Sequence, residues 1–232
     1  MFESTEDFQL AQLWAEEFLG DKNVAKYYFN ASTFVVGYKS AESFSLLVED
    51  GSFYAQLYGA SAYLDPRATE FACEGSEVRS FENFAFRGEG YEFWELETAD
   101  SVGKIELIHL LHDADEILEF IENHAPDSSV RPGDGEEIFW GGLRNSLGVL
   151  VAVAVVVKWQ SGYHVMSSVA TRTQDRGQGI GTALTIAIAS HARELGISLL
   201  GLGVRRDNYG AQRVYEKAGY KRIGIFTIHS RE

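Results

Sequence analysis

Cysteine is nearly absent from this chain and proline is scarce: among 232 residues there is one cysteine, Cys73, and there are three prolines. A lone cysteine excludes an intrachain disulfide, and with no Cys-x-x-Cys pair or Cys/His cluster there is no pattern for structural zinc. So few prolines argue against long Pro-rich linkers. Long apolar runs are missing as well. The longest, Val149 to Val157, has nine residues, against about 20 for a helix that spans a bilayer. The opening MFESTEDFQL is acidic and has neither a basic n-region nor an apolar core, which is not the pattern of a signal peptide. A soluble, cytoplasmic protein with no membrane partner is the expectation.

Basic charge is the next shortage. Twenty Lys and Arg face 34 Asp and Glu, for a formal net charge of −14. A phosphate backbone would be repelled, so no nucleic-acid partner is expected. The deficit is uneven. Arg172 to Glu232 holds ten basic and five acidic residues, a local balance of +5, which leaves −19 for residues 1–171. The last quarter of the chain suits an anion. The acidic remainder would favour a cationic amine partner, or is a solubilising surface.

Apolar residues are plentiful, at 45%, and 21 of the 30 aromatic residues fall in the first 100 positions. They fill a β-rich core or line a substrate pocket. The opening reads as an amphipathic helix with Leu10, Leu13, Trp14 and Phe18 on its apolar face and Gly20 as its stop. Strand-like segments follow at Thr33–Tyr38, Ser43–Val48, Phe53–Tyr58, Phe81–Phe86 and Tyr91–Leu96, with Glu49-Asp50-Gly51 as a hairpin turn. A second helix is expected over Asp113–His124 with Asp113 as its N-cap, and then a loop, Ala125–Gly135.

From there the pattern is regular: strands at Glu136–Leu143, Gly148–Trp159 and Gly162–Thr171, a Gly-rich loop, a helix over Ile180–Leu195, a strand at Ile197–Val204, a helix at Tyr209–Ala218 and a strand at Tyr220–His229. The run VLVAVAVVV belongs inside a sheet covered on both faces. The expected fold class is α/β in the α+β sense, a mixed sheet, divided into an N-terminal module over 1–112 and a second domain over 113–232.

The Gly-rich loop carries the most chemistry. A strand ends at Thr171, and Gly177, Gly179 and Gly181 then alternate into a helix. Glycines at a helix start let backbone fold closely around a ligand, and the unpaired N–H groups of the first turn favour an anion. No lysine follows as a P-loop requires, and the GxGxxG/A spacing fails at Thr182 and at Leu184.

Arg176-Gly177-Gln178-Gly179-Ile180-Gly181 resembles the R/Q-x-x-G-x-G/A signature of the GCN5-related N-acetyltransferase, or GNAT, superfamily. Asn208, Ala211, Tyr215, Glu216, Lys217, Gly219 and Tyr220 resemble its second block, N-x-x-A-x-x-x-Y-E-K-x-G-[FY]. The likeness covers about 113–232, where it is most similar to the glycine N-acyltransferase-like branch; the front half would be a degenerate GNAT-like module. It implies acetyl-CoA as co-substrate, with no metal, and a GNAT acyl-CoA acyltransferase fold in the C-terminal half.

By residue, the resemblance implies that Val169, Ala170 and Thr171 pair with the pantetheine arm of the cofactor. Arg176, Gly177, Gln178, Gly179, Ile180, Gly181 and Thr182 would surround its pyrophosphate with backbone N–H groups. Asn208 would lie near the pantetheine or adenine end, and Lys217 near the phosphates unless it is simply solvated. Tyr215 would act as general acid toward the departing thiolate or be a packed aromatic. An amide near Val169 or Ala170 would stabilise the oxyanion.

The base is less defined: His164, with an ordinary pKa near 6.5, or Glu136 or Glu137, with Ser167 and Ser168 ordering a water. The implied reaction is direct acyl transfer from acetyl-CoA to a primary amine, small molecule or peptide, in a ternary complex. The alternative is an acyl-CoA-binding sensor or interaction module without turnover. The oligomeric state, monomer or homodimer, is left open.

Overall fold

A computed structural model describes residues 2–75, 81–87, 90–100, 108–135 and 137–232. The first half supplies β1 (Glu3–Thr5), α1 (Phe8–Leu19), β2 (Phe34–Ser40), β3 (Ser43–Glu49), β4 (Phe53–Tyr58), β5 (Glu70–Glu74), β6 (Phe84–Phe86) and β7 (Tyr91–Glu97). The second supplies β8 (His109–Leu111), α2 (Ala114–His124), β9 (Glu137–Arg144), β10 (Leu150–Lys158), β11 (His164–Thr171), α3 (Ile180–Glu194), β12 (Leu199–Arg205), α4 (Tyr209–Lys217) and β13 (Lys221–Arg231). All the strands join one mixed sheet, so the expected α+β class holds.

The sheet is built twice. From its edges inward the order is β1-β2-β3-β4-β5-β13 on one side and β8-β9-β10-β11-β12-β7 on the other, with β13 and β7 paired at the centre and β6 beside β13. On each side the pairings run antiparallel until the fifth strand, which is parallel to the fourth: β5 to β4, and β12 to β11. The sixth strand is antiparallel and comes from the other half, β13 beside β5 and β7 beside β12. Each half thus completes its sheet with a strand exchanged from its partner, which makes the boundary near residue 112 a point in the sequence that the sheet runs straight across.

The halves differ where it matters for a ligand. Between β11 and β12 stands α3, whereas no helix stands between β4 and β5. There β4 and β5 pair over four rungs, Tyr54–Glu70 to Leu57–Cys73. In contrast, β11 and β12 pair only at His164–Leu200 and Val165–Gly201 and then part.

Burial on both faces explains β10. Val153, Val155 and Val157 pack with Phe93, Val165, Ile117, Phe120 and Ile121 on one side, and Ala152, Ala154 and Val156 with Met166, Leu184, Ile188 and Ala189 on the other. Asp113 caps α2 by accepting from the amides of Asp115 and Glu116, as expected. In α1 the expected apolar face is shifted. Ala11 and Ala15 are buried, with Phe8, Trp14 and Phe18 beside them, while Leu10 and Leu13 are exposed. Gly37 explains the shift, because Ala11 Cβ sits 3.0 Å from where a Cβ on Gly37 would be, and only a small residue fits so close to β2.

Buried phenols set an alkaline limit on stability. Burial raises the pKa of Tyr28, Tyr54, Tyr58, Tyr91 and Tyr220 above the ordinary 10.0. A phenol with a folded pKa above its unfolded value holds its proton more tightly in the native state. Stability is therefore complete below pH 10.0 and falls as pH rises between the two values. The urea midpoint is expected to be flat from about pH 8 to about pH 9.5 and to fall steeply above it, with phenolate absorbance rising in the unfolding step itself.

Candidate active site

The parted strands make the site. Beyond Val165 and Gly201 the two strands diverge, and the opening is walled by Met166–Thr171 of β11 and Gly203–Arg205 of β12. With the start of α3, one side of α4 and the His124–Ser129 loop, they enclose a cleft of about 1010 Å³.

A bulge shapes the β11 wall. Ala170 pairs with Val153 and Ser167 with Val155, so Ser168 and Val169 together face the single residue Ala154. Ser168 has φ of +48°, rare for a residue with a side chain. Its buried hydroxyl holds that conformation, donating to Val130 O at 2.8 Å and accepting from Val130 N at 3.2 Å. The bulge takes Ser168 and Val169 out of the ladder with β10 and leaves their backbone to the cleft. Ser167, on the same wall, is 3.0 Å from Ser129 by their hydroxyls.

The Gly-rich loop forms the floor. Gly177 has φ of +78° and Gly179, the N-cap of α3, φ of +84°; a Cβ on either would meet nothing within 4 Å. Glycine at the N-cap brings no side chain to pair with the first amides of α3, those of Ile180, Gly181 and Thr182. Unpaired amides, the positive end of a fifteen-residue helix and an open face make an anion cradle. Arg176 works differently from expectation. Its amide closes a turn on Thr173 O at 3.4 Å, and its guanidinium bonds His124 O at 2.6 Å and Thr171 O at 3.2 Å. It therefore ties the end of α2 to the end of β11, and the available amides begin after it.

Opposite stands α4. Asn208 is its N-cap, its side chain accepting from Ala211 N. Tyr215 is buried against Tyr220, ring centroids 5.9 Å apart, and borders the cleft. Burial drives its pKa far above 10, so the phenol keeps its proton at any working pH. Lys217 also borders the cleft, as does Arg213 one turn before it, a residue that the motif reading missed and that the i,i+4 spacing of the two cations could have revealed. Arg205 is paired with Asp207 at 2.6 Å.

The structure thus gathers Val169, Ala170, Thr171, Arg176, Gly177, Gly179, Ile180, Gly181, Thr182, Asn208, Tyr215 and Lys217 around one cleft. Gln178 is in the loop with its side chain exposed, outside the lining. His164 is not gathered. It opens β11 opposite Lys158 and Leu200, roughly 16 Å along the strand from Val169. Burial and the Lys158 charge lower its pKa. Its placement gives the expected base role no support. Glu137 is also engaged elsewhere, accepting the amides of Gly133 at 2.6 Å and Gly135 at 2.8 Å. Although burial acts to raise its pKa, these bonds bring it below the ordinary value. Glu136 lies outside the described residues.

The sequence from 105 to 220 matches the model of the acetyltransferase (GNAT) family, a span that starts before β8 and ends after α4. The chain belongs to the GNAT acetyltransferase family. No curated protein matches it in sequence. Among solved structures, a GNAT protein from Sphaerobacter thermophilus is similar over 100% of this chain and 95% of its own, with 14% identity and a TM-score of 0.60. One from Kribbella flavida covers 97% and 95%, at 16% identity and 0.57. An acetyltransferase from Colwellia psychrerythraea covers 100% of each chain, at 13% and 0.57. These likenesses show the GNAT fold over both halves of the sheet. The GNAT family generally uses acetyl-CoA, and the splayed strands and uncapped amides fit its pantetheine and phosphates. Among the described residues no helix is long and apolar enough to cross a membrane, and no group of three or more His, Cys, Asp or Glu is placed to hold a metal ion.

Proposed function

We propose that this GNAT protein is an acyl-CoA-dependent N-acyltransferase that moves an acetyl group to a primary amine by direct attack, with both substrates bound together. The observation that carries the reading is that α3 opens uncapped into the same cleft that buried Tyr215 borders. The reading divides the chain at about residue 112, with catalysis in 113–232 and a degenerate GNAT-like module before it. The closer likeness to the glycine N-acyltransferase branch rests on the two motif blocks alone.

When bound, acetyl-CoA would supply an activated thioester. The amides of Ile180, Gly181 and Thr182 would hold phosphate oxygens, with Lys217 and Arg213 adding charge from α4. The backbone of Val169 and Ala170, freed by the bulge, would orient the acyl carbonyl and stabilise developing charge on its oxygen. Tyr215 holds the proton that the departing sulfur requires. Cys73 lies on β5, paired with Leu57 and Thr227 and absent from the cleft lining, which favours direct attack over a cysteine-bound intermediate.

Acetyl-CoA titration followed by release of free thiol across a panel of primary amines tests the proposal. Saturable binding with amine-dependent thiol release is expected. Binding with no transfer to any amine would support the sensor reading instead, and no binding would sink both.

A further inference from the structure

Glu95 belongs to no motif, yet the fold brings it within one strand of the fork that opens the cleft. It is carried on exchanged strand β7, opposite Gly201 of β12 and Lys221 of β13. Gly201 is the last β12 residue paired to β11 before the strands part. Glu95 therefore sits one strand away from the fork, on the same rung.

An ammonium group already rests against it. Lys26 Nζ is 2.6 Å from Glu95 Oε1, and lies 5.4 Å and 5.5 Å from the ring centroids of Tyr27 and Tyr163, which are 5.0 Å from each other. Gly201 makes room for this cage, because a Cβ there would come within 2.6 Å of the Tyr27 hydroxyl.

Two buried hydroxyls lie nearby. Those of Tyr27 and Tyr220 are buried without a well-aligned hydrogen-bond partner among the described residues, on side chains 2% and 3% exposed. They lie within electrostatic reach of each other; Tyr27, whose ionisation is raised first by burial and next by Glu95, also feels Tyr220. Tyr220 in turn packs on Tyr215. The Tyr27 hydroxyl has the Glu95 carboxylate within hydrogen-bonding reach, so the buried hydroxyl that calls for a water or a ligand is that of Tyr220.

A carboxylate and aromatic faces around one ammonium are the chemistry that recognises a primary amine in its charged form. The Lys26 side chain is 20% exposed and stands on a single short turn, Val24–Tyr27, so part of it already reaches solvent. We propose that the Glu95, Tyr27 and Tyr163 cage is the acceptor-amine subsite, that it takes a primary alkylammonium, and that Lys26 occupies it until the acceptor displaces it. The acyl-transfer role of the bound amine, whose nitrogen must first give one proton to the Glu95 carboxylate or to water, rests on the function proposed above; the binding itself does not.

The two partners of this ion pair should then respond in opposite directions. In calorimetric titration of the full chain with n-butylamine, Lys26→Met is expected to bind about tenfold more tightly than wild type, since the competing ammonium is gone. Glu95→Gln should lose measurable binding, and the double variant should bind no better than Glu95→Gln. A purely structural pair would lower the melting temperature of both variants and leave n-butylamine affinity alike in all of them, which would overturn the proposal.

The wild-type chain provides a second readout that requires no variant. Saturating n-butylamine should raise the labelling of Lys26 by an amine-acylating reagent several-fold relative to exposed Lys22 in the same sample, a ratio that cancels the reagent consumed by the free amine, and n-butanol should not. Unchanged labelling would overturn the proposal. Failure to bind acetyl-CoA alongside normal n-butylamine binding would remove the acyltransferase reading and keep the cage.

Discussion

Gly179→Asp is expected to cost at least about 100-fold in CoA affinity while leaving the fold intact, because two charge-assisted amide bonds at roughly 1.5–3 kcal/mol each would be lost. Two properties of the position separate binding from stability. At φ of +84° most side chains are strained, but Asp is one of the few residue types that visits this region. Gly179 is also the N-cap of α3, where Asp is a preferred residue, so its carboxylate would accept from the amides that phosphate would otherwise take. The variant caps its own helix and repels the ligand. Thermal unfolding should change little, whereas isothermal titration should show the loss. Gly179→Ala, which adds a methyl group into open space, should retain most of the affinity. Equal binding by Gly179→Asp and wild type would remove the phosphates from this loop.

What could be read in the sequence was what local physics decides. Asp113 as a cap, the Glu49-Asp50-Gly51 turn, the doubly buried β10 and the glycines before α3 each follow from a residue's own preferences or from a short period. Neighbours in the sheet do not. Alternation tells which face a residue of β7 occupies, but nothing in YEFWELE says that this strand leaves its own half to lie between β12 and β13. Glu95 was invisible as a site residue for that reason, since its importance comes from Gly201, more than a hundred positions away. Three short strands, β1, β5 and β8, were also missed, since three to five residues hold too few periods for a pattern. His164 pairs with Leu200 one rung before the strands part, yet it is not among the residues that line the cleft, and its position in the sequence does not tell that.

Exchange of the last strand also changes the meaning of the acidic front half. The −19 carried by residues 1–171 first suggested a broad attraction for cations. In the folded chain one of those charges, that of Glu95, is inserted beside the fork with its side chain 12% exposed, where a single carboxylate discriminates more than a diffuse surface excess does. The N-terminal half need not bind a cofactor to matter: it supplies the strand that carries this carboxylate and the turn that carries Lys26.

Tyr215→Phe should lower kcat by about 100-fold, within the usual contribution of a positioned acid, and change CoA affinity by less than about threefold. The ring's contacts with Tyr220 survive the change, so folding and the cleft wall are preserved, and the lost atom is the one that carries the proton. Protonation of the thiolate as the carbon–sulfur bond breaks stabilises its departure and prevents its return to the carbonyl, so the deficit should fall on kcat rather than on amine KM. The pH profile supplies an independent check. Burial keeps the Tyr215 phenol protonated above pH 10, so wild-type kcat, measured with the amine saturating, should rise with pH as the bound amine loses its proton and show no alkaline fall before the protein itself unfolds. In the phenylalanine variant the profile should keep that shape at a lower height, with water serving as the proton source. A wild-type kcat in Tyr215→Phe, or an alkaline limb well below pH 10 that disappears with the substitution, would take the acid role away from this residue.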